Sequence, residues 1–220
     1  MNRLNAVVLA LAMFASGATL AESEFAVYGG FQSSPHSRVT PAEGDSFLAA
    51  WKGDSMSFPI YLGLRYTEWL DDEWGWAVNY THTKAKADAD TLTTNNYQTL
   101  EFTDGANPLT LVALRRFAPM NGGIKPYVGV GAGISVPHVE EQRTGAYANK
   151  KTFEYQYGGP VLTALAGFKY PLNERWDLLT EFQMHYMMLD VKVAKADGSS
   201  GRLKTNLVTN ALSIGASYRF

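Results

Sequence analysis

The sequence of 220 residues contains no cysteine. Disulfide bonds, thiolate metal sites and cysteine nucleophiles are therefore excluded, and the fold must be held by hydrogen bonds and packing. Charged residues are few, at 18% of the chain, and nearly balanced, with a net charge of −2. Binding to a polyanion through bulk positive charge is not expected, so nucleic acid is not a predicted partner.

Long hydrophobic runs are missing after the first 21 residues. Within that segment Arg3 precedes an apolar run from Ala6 to Ala15, and small residues around Ala21 are typical of a signal-peptide cleavage site. The run is about half the length that a membrane-spanning helix needs. We predict a signal peptide over 1–21 and a single domain over 22–220.

Motifs of the common enzyme classes are also lacking. The sequence has no Gly-x-Ser-x-Gly segment and no phosphate-binding glycine loop ahead of a helix. The glycines at 129, 131 and 133 follow the period of a strand instead. No nucleotide cofactor is expected.

The feature that is present throughout is alternation. Aromatic residues make up 13% of the chain although mean hydropathy is only −0.16, as expected for strands with one apolar and one polar face. Eight alternating segments lie near 24–34, 57–69, 75–85, 108–117, 126–136, 160–170, 175–188 and 205–220. Short connections near 70–74, 118–125 and 171–174 alternate with long polar ones near 35–56, 86–107, 137–159 and 189–204.

This pattern predicts an all-β fold, an eight-stranded antiparallel up-and-down transmembrane β-barrel with long loops at one end and both termini at the other. The last segment, which ends in Phe220, resembles the strand by which the barrel assembly machinery recognises outer-membrane barrels for insertion. We therefore expect a location in the outer membrane of a Gram-negative bacterium, among outer-membrane lipids and with the long loops facing outside.

Residue parity predicts which side chains face the interior. On the last strand Leu212 belongs to an apolar face that should meet lipid. Arg65 and the row Glu181, Gln183 and His185 are predicted to point inward. Eight strands enclose an interior that side chains just fill, so we expect a paired polar network there and no wide pore.

Histidine is scarce, with four residues in the chain, and all four fall at or just beyond the loop ends of strands: His36, His82, His138 and His185. Parity turns His36 and His185 inward on the two strands that flank the last one, which makes them candidates for a shared site. Two neutral imidazoles with Glu140 would suit a metal ion. The alternative is that each is a rim histidine satisfied by water.

Several loop segments are familiar as a set: Pro35-His36-Ser37, Glu101-Phe102-Thr103-Asp104-Gly105 with Asn107, Pro137-His138-Val139-Glu140 and Phe153-Glu154-Tyr155-Gln156. With Pro126-Tyr127-Val128-Gly129, they resemble the outer-membrane lipid A oxidase family, which belongs to the small eight-stranded outer-membrane barrels. The resemblance implies an oxygen-dependent enzyme that acts on lipid A, the anchor of lipopolysaccharide. Such an enzyme converts the proximal glucosamine of lipid A to 2-aminogluconate.

Oxidation of a sugar hemiacetal needs a base, a route for two electrons to O2 as co-substrate, and donors for the anionic headgroup. A divalent or redox-active metal ion is favoured, because a singlet sugar reacts slowly with triplet oxygen. The hypothesis places the metal ligands among His36, His138, Glu140 and Glu154. Glu101 or Asp104 is the expected base, His36 and His185 are further catalytic candidates, and Arg38 and Arg143 are expected to contact phosphate.

Other functions stay open. A non-enzymatic barrel that passes small hydrophobic compounds or presents adhesive loops needs only the strand pattern, and the glycines of the fifth strand favour a lateral path. A lipid A deacylase would pair a histidine with a serine two residues later on one strand. His185 is followed at that distance by Met187, which weakens the deacylase alternative.

Overall fold

The computed structural model describes residues 22–220, and the predicted signal peptide lies outside them. No helix in the described part is long and apolar enough to cross a membrane. The strands are β1 (Glu22–Ser33), β2 (Ser37–Thr40), β3 (Phe47–Ala49), β4 (Trp51–Lys52), β5 (Leu62–Trp69), β6 (Trp74–His82), β7 (Ala85–Ala87), β8 (Tyr97–Phe102), β9 (Pro108–Arg116), β10 (Lys125–Ser135), β11 (His138–Arg143), β12 (Thr152–Tyr155), β13 (Gly159–Pro171), β14 (Trp176–Ala194) and β15 (Ser200–Arg219), with one short helix, α1 (Ala89–Thr94).

Eight long strands close into a barrel. Strands β1, β5, β6, β9, β10, β13, β14 and β15 pair in that order, and β15 pairs back with β1. All of these pairings are antiparallel, so the predicted eight-stranded up-and-down barrel is confirmed. We call the end with the connections 70–73, 117–124 and 172–175 the turn end, and the opposite end the rim end.

The prediction of a long loop over 189–204 was wrong. Strands β14 and β15 run on past the expected boundary, and only 195–199 joins them. Exposed charges such as Asp190 obscure the alternation, but Leu189 and Val191 on either side of it are buried. Because a strand needs only every second residue to be apolar, this charged segment continues the barrel wall.

The predicted facing of the strands is confirmed. Leu212 and Ile214 on β15 are exposed on the outside, whereas Ser213 between them is buried. On β10 the alternating glycines face inward, and Leu114 and the other side chains of β9 and β13 leave no room for a Cβ at Gly129. Glycine there is a packing requirement rather than a sign of an open lumen.

A paired polar network fills the turn-end half of the interior, as predicted. Arg65 donates to both carboxylate oxygens of Glu181 at 2.6 and 2.7 Å, and Tyr127 Oη donates to the same carboxylate at 2.8 Å. Asn79 Oδ1 accepts from Arg65 Nε at 2.9 Å and from Tyr28 Oη at 2.6 Å. Every charge buried there has a partner, as burial requires.

At the rim end short strands extend the barrel wall. Strands β4, β7, β8, β11 and β12 form a five-stranded sheet, in the order β12-β11-β8-β7-β4, which we call the rim sheet. Its inner face packs Trp51, Phe102 and Val139 against Leu189 and Val191 of β14. The rim half of the interior is therefore an apolar core, a feature that the expectation of polar loops did not include.

Candidate metal centre on the rim sheet

The outward face of the rim sheet carries a row of residues that crosses all five strands. Phe153, Glu140, Glu101, Lys86 and Lys52 lie opposite one another, in that order, on β12, β11, β8, β7 and β4. We call these five residues the cross-strand row. The residues that alternate with them on β4, β7, β8 and β11 face the apolar core.

Three potential metal ligands meet at the β11 end of this row. His138 Nδ1 lies 3.5 Å from Asp104 Oδ2 and 3.5 Å from Glu140 Oε1. One ligand atom from each of the three residues lies within 4.8 Å of the others. We call Asp104, His138 and Glu140 the ligand trio. One imidazole nitrogen and two carboxylates form a suitable donor set for a divalent first-row metal ion.

The turn after β8 places Asp104 beside His138. Asn107 Nδ2 donates to the carbonyl oxygens of Asp104, Gly105 and Val136, each at 3.2 Å. His138 N donates to Gly105 O at 2.9 Å. Gly105 has a φ of 96° and lies so close to the Asn107 side chain that a Cβ would not fit. Only glycine permits this close turn, so Gly105 is part of the support of the trio.

Aromatic rings enclose His138. Its ring centroid lies 4.4 Å from that of Phe153 and 4.6 Å from that of Tyr155. Tyr155 Oη also donates to the carbonyl oxygen of Asp104 at 3.3 Å. His138 is only 4% exposed, while Phe153 and Tyr155 remain 57% and 59% exposed. The two rings therefore hold the imidazole with Nδ1 toward the carboxylates.

A buried nitrogen of the trio indicates a place for a cation. Among the described residues, His138 Nδ1 is buried and makes no hydrogen bond. Buried polar atoms are nearly always partnered, and a cation between Nδ1 and the carboxylates would partner this one. Thr103 Oγ1 donates to Glu140 Oε1 at 3.3 Å, and a hydroxyl donor of this kind commonly fixes a metal-ligating carboxylate. The other oxygen of Glu140, Oε2, is paired with Lys151 Nζ at 3.0 Å.

The two predicted bases lie at the trio but in different positions. Glu101 sits opposite Glu140 on the adjacent strand, and Lys86 Nζ lies 3.3 Å from Glu101 Oε2. Asp104 belongs to the trio itself. Of the two, Glu101 is therefore the carboxylate that lies beside the trio without belonging to it.

The other two predicted ligands are not part of the trio. The prediction that His36 points inward was wrong, because it is exposed in the connection between β1 and β2, where barrel alternation no longer applies. Glu154 lies opposite Val139 rather than Glu140, so strand alternation turns it toward the other face of β12. The structure thus brings together His138 and Glu140 from the predicted ligand set and adds Asp104.

The two predicted phosphate ligands lie in different environments. Arg38 is exposed on β2, which pairs with β15 and is not part of the rim sheet. Arg143 is buried, with its guanidinium 4.7 Å from the Tyr97 ring centroid and 4.4 Å from that of Tyr147. It donates to the carbonyl oxygen of Glu43 at 2.5 Å. These contacts give Arg143 a structural role, while its Nε is buried without a hydrogen-bond partner among the described residues.

Two further titratable residues lie apart from the trio. His185 faces the interior, as predicted, and its ring nitrogens contact Thr163 Oγ1 at 2.8 Å and Gln183 Oε1 at 3.1 Å. No described contact joins it to His36. Glu141 points to the inner face of the rim sheet, where burial raises its pKa to about 7 and Asn149 Nδ2 donates to it at 2.9 Å.

Two residues that complete the site were not singled out from the sequence. Lys86 Nζ pairs with Glu101, and Lys151 Nζ pairs with Glu140. Lys86 lies on β7 and Lys151 directly precedes β12, so strand pairing brings both to the site, which spacing alone does not reveal. Asn107 and Tyr155 were noted only as parts of the loop segments.

The sequence profile of the outer membrane protein beta-barrel domain family matches residues 6–220. The chain belongs to this family. No curated protein sequence matches it. Among solved structures, Neisserial surface protein A is similar, with 16% sequence identity, a TM-score of 0.51, and coverage of 93% of this chain and 100% of that one. This likeness shows the fold.

Two further solved structures have lower TM-scores. OprG of Pseudomonas aeruginosa shares 18% identity over 91% of this chain and 94% of its own, with a TM-score of 0.47. The attachment invasion locus protein Ail of Yersinia pestis shares 16% identity over 92% of this chain and 100% of its own, with a TM-score of 0.45.

Membership of this family makes the outward surface of the barrel strands the lipid-facing surface of a protein of the Gram-negative outer membrane. At the rim end of that surface, Tyr80 Oη and His82 Nδ1 of β6 both lie 3.1 Å from Asn107 Oδ1. Asn107 in turn holds the turn that carries Asp104. The ligand trio therefore lies on the outside of the wall, just beyond the lipid-facing surface, and not in the lumen.

Proposed function

We propose that this protein is an outer-membrane lipid A oxidase whose rim end faces the outside of the cell. The observation that carries the proposal is the position of the ligand trio. Asp104, His138 and Glu140 come from two of the loop segments that resemble that family, and they meet just beyond the lipid-facing surface. Lipid A is anchored by its acyl chains in the same membrane and presents its sugars at that level.

The filled interior supports a lateral approach of the substrate. Arg65 and Glu181 block the turn-end half, and the apolar core that includes Phe102 and Leu189 fills the rim half. A substrate in the lumen would have to displace this packing. A lipid that diffuses in the membrane plane reaches the outward face of the rim sheet without any such change.

The substrate of this reaction has a free hemiacetal hydroxyl on the proximal glucosamine. Removal of the C1 hydrogen and the hydroxyl proton, with transfer of two electrons to O2, gives a lactone and hydrogen peroxide. Water then opens the lactone to 2-aminogluconate, so the lipid gains one oxygen atom. The required groups are a base for the hydroxyl proton and a path for the electrons.

Different residues at the outward face of the rim sheet carry out these parts of the reaction. Glu101 accepts the hydroxyl proton, because it lies beside the trio without belonging to it. Asp104, His138 and Glu140 would hold a divalent or redox-active cation, which supplies a binding point for the sugar oxygen and a route for electrons to O2. Tyr155 keeps the His138 ring in place and fixes the turn of Asp104.

Metal binding is the first test. Detergent-folded protein is stripped with EDTA and titrated with Mn²⁺, Zn²⁺ and, without air, Fe²⁺, with binding followed by calorimetry. We expect His138→Ala and Glu140→Gln to weaken binding at least tenfold, since each change removes one of the three metal ligands. Glu174→Gln, at the turn end, is the matched control. Equal affinity in all variants would remove the trio as a metal site.

Oxidation is the second test. Lipid A with a free proximal hydroxyl is incubated with metal-loaded protein under air, and the product is analysed by mass spectrometry alongside a peroxide assay. We expect a gain of one oxygen on the proximal sugar, one hydrogen peroxide per product, and no reaction with His138→Ala or without O2. Metal binding with unchanged lipid would favour a non-enzymatic barrel for passage or adhesion. Loss of an acyl chain would favour a deacylase.

A further inference from the structure

Two lysines stand at the free end of the cross-strand row. Lys52 and Lys86 lie opposite each other on β4 and β7, and β4 is the last strand of the rim sheet. Both side chains are exposed on the outward face, while Trp51 and Ala85 next to them are buried. Like charges that are directly opposite repel each other. The pair is therefore a local concentration of positive charge.

Carboxylates in the neighbourhood only partly neutralise this charge. Lys86 Nζ pairs with Glu101, but Lys52 makes no ion pair within the part of the chain that the structure describes. Hydrogen bonds from Thr91, and to a smaller extent the charge of Lys52, lower the pKa of Asp88. The Asp88 carboxylate accepts a hydrogen bond from Thr91 N at 2.8 Å and so caps α1. The end of the row thus has an ammonium group available for an external anion.

A third lysine lies next to the pair but is buried, so it is not part of the anion site. Lys84 Nζ donates to the carbonyl oxygen of Ser57 at 2.8 Å. Burial lowers the pKa of Lys84, and the charge of Lys86 lowers it further, while Asp54 acts in the opposite direction. The Asp54 carboxylate accepts a hydrogen bond from Ser57 Oγ at 2.7 Å and so has a local partner as well.

The spacing along the row matches a disaccharide. Neighbouring strands are about 4.8 Å apart, which puts Lys86 about 10 Å and Lys52 about 14 Å from Glu140. Two linked pyranose rings span a length on this scale. The row runs across the strands and so around the outside of the barrel, the direction in which a lipid headgroup at the membrane surface extends.

An apolar segment lies next to the lysine pair. The connection between β4 and β5 exposes Met56, Phe58 and Ile60, which are 71%, 92% and 50% exposed. It continues into Leu62 on the lipid-facing surface of β5. Such exposure is unfavourable in water and favourable beside acyl chains. Cationic and apolar surfaces side by side suit an anionic lipid.

We propose that Lys52 and Lys86 bind an anionic group on the distal sugar of lipid A, so that the disaccharide lies along the cross-strand row with its proximal sugar at the ligand trio. This inference rests on the proposed function, because the trio is the point that fixes the orientation. It replaces Arg143, which is buried, as the source of anion contacts. The acyl chains would descend past Phe58 into the membrane.

Binding without turnover tests the inference. Detergent-folded protein is mixed under nitrogen with two lipids that have a free proximal hydroxyl, one with and one without a phosphate on the distal sugar, and affinity is measured by native mass spectrometry. We expect at least a tenfold preference for the phosphorylated lipid. Lys52→Gln with Lys86→Gln should abolish that preference, and Lys52→Arg should retain it.

Lys192→Gln is the matched control, because Lys192 is an exposed lysine at the rim end of β14, outside the rim sheet. It should keep the wild-type preference. Correct folding of each variant is checked by the shift in gel mobility on heating. Because Lys86 pairs with Glu101, the single Lys52→Gln variant is measured as well and should lose a large part of the preference.

The inference would be overturned by no preference in the wild-type protein, by a full preference in the double variant, or by an equal loss in Lys192→Gln. Inorganic phosphate at the lipid concentration should not compete; complete competition would make the pair a free-phosphate site instead. Oxidation of lipid A without a binding preference for the phosphorylated lipid contradicts this inference and leaves the proposed oxidase function intact. A preference without oxidation supports the anion site and contradicts the proposed function.

Discussion

Glu140 and Glu101 lie directly opposite each other on β11 and β8, and each carboxylate has its own lysine. Lys151 Nζ is 3.0 Å from Glu140, and Lys86 Nζ is 3.3 Å from Glu101. Opposed like charges destabilise a sheet, and the two lysines offset that repulsion. The site therefore tolerates two adjacent carboxylates in the absence of a bound cation.

Lys151, which offsets the charge of Glu140, should also compete with a metal ion for that carboxylate. We predict that Lys151→Ala raises metal affinity about two- to fivefold, the effect of removing a partly exposed ion pair worth up to about 1 kcal/mol. Calorimetric titration of the stripped protein measures the change. Lys150→Ala alters the same net charge at the neighbouring exposed position and should have a smaller effect. Weaker binding in Lys151→Ala would mean that this lysine orients Glu140 rather than competing for it.

The barrel could be predicted from the sequence because strand alternation is local. A period of two fixes the inward position of Arg65 and of Glu181 without knowledge of any partner. The apolar core at the rim end was missed for a related reason. Short strands such as β7 and β12 hold only a few residues each, too few for alternation to stand out among charges.

The ligand trio could be predicted only in part. His138 and Glu140 lie two residues apart on one strand and so share a face, which spacing indicates. Whether Glu154 also reaches that face depends on the register of β12 against β11, and register is not a local property. Asp104 reaches the site through a turn that Asn107 holds, a set of tertiary contacts with no counterpart in the spacing.

The buried pair in the barrel interior predicts a large effect on stability. Glu181→Ala leaves the Arg65 guanidinium buried without its carboxylate, a change that typically costs about 3–5 kcal/mol. Urea unfolding of the detergent-folded protein, followed by tryptophan fluorescence, measures the free energy of unfolding. Asp190→Ala is the comparison, because its partner Arg202 is exposed and the expected loss is at most about 1 kcal/mol. Similar losses in both variants would contradict the paired network.

A second stability prediction concerns Gly63. The ring of Tyr28 covers this glycine so closely that a Cβ cannot fit. Gly63→Ala should therefore cost about 1–3 kcal/mol through overpacking. In Tyr28→Leu the ring is absent, and the same alanine should cost much less. A double-mutant cycle on urea unfolding gives the coupling, and additive effects would show that the ring does not enforce glycine at this position.

Substitution of Asp104 and of Glu154 distinguishes the ligand trio from a ligand set that includes Glu154. The hypothesis that followed the family resemblance included Glu154 among the ligands, whereas the geometry places Asp104 with His138 and Glu140. We predict that Asp104→Asn lowers metal affinity at least tenfold, because an amide replaces a charged ligand, and that Glu154→Gln leaves it within twofold. Both variants remove one negative charge, so the change in net charge alone cannot account for a difference. The reverse order of effects in calorimetric titrations would restore Glu154 and require a different register of β12 against β11.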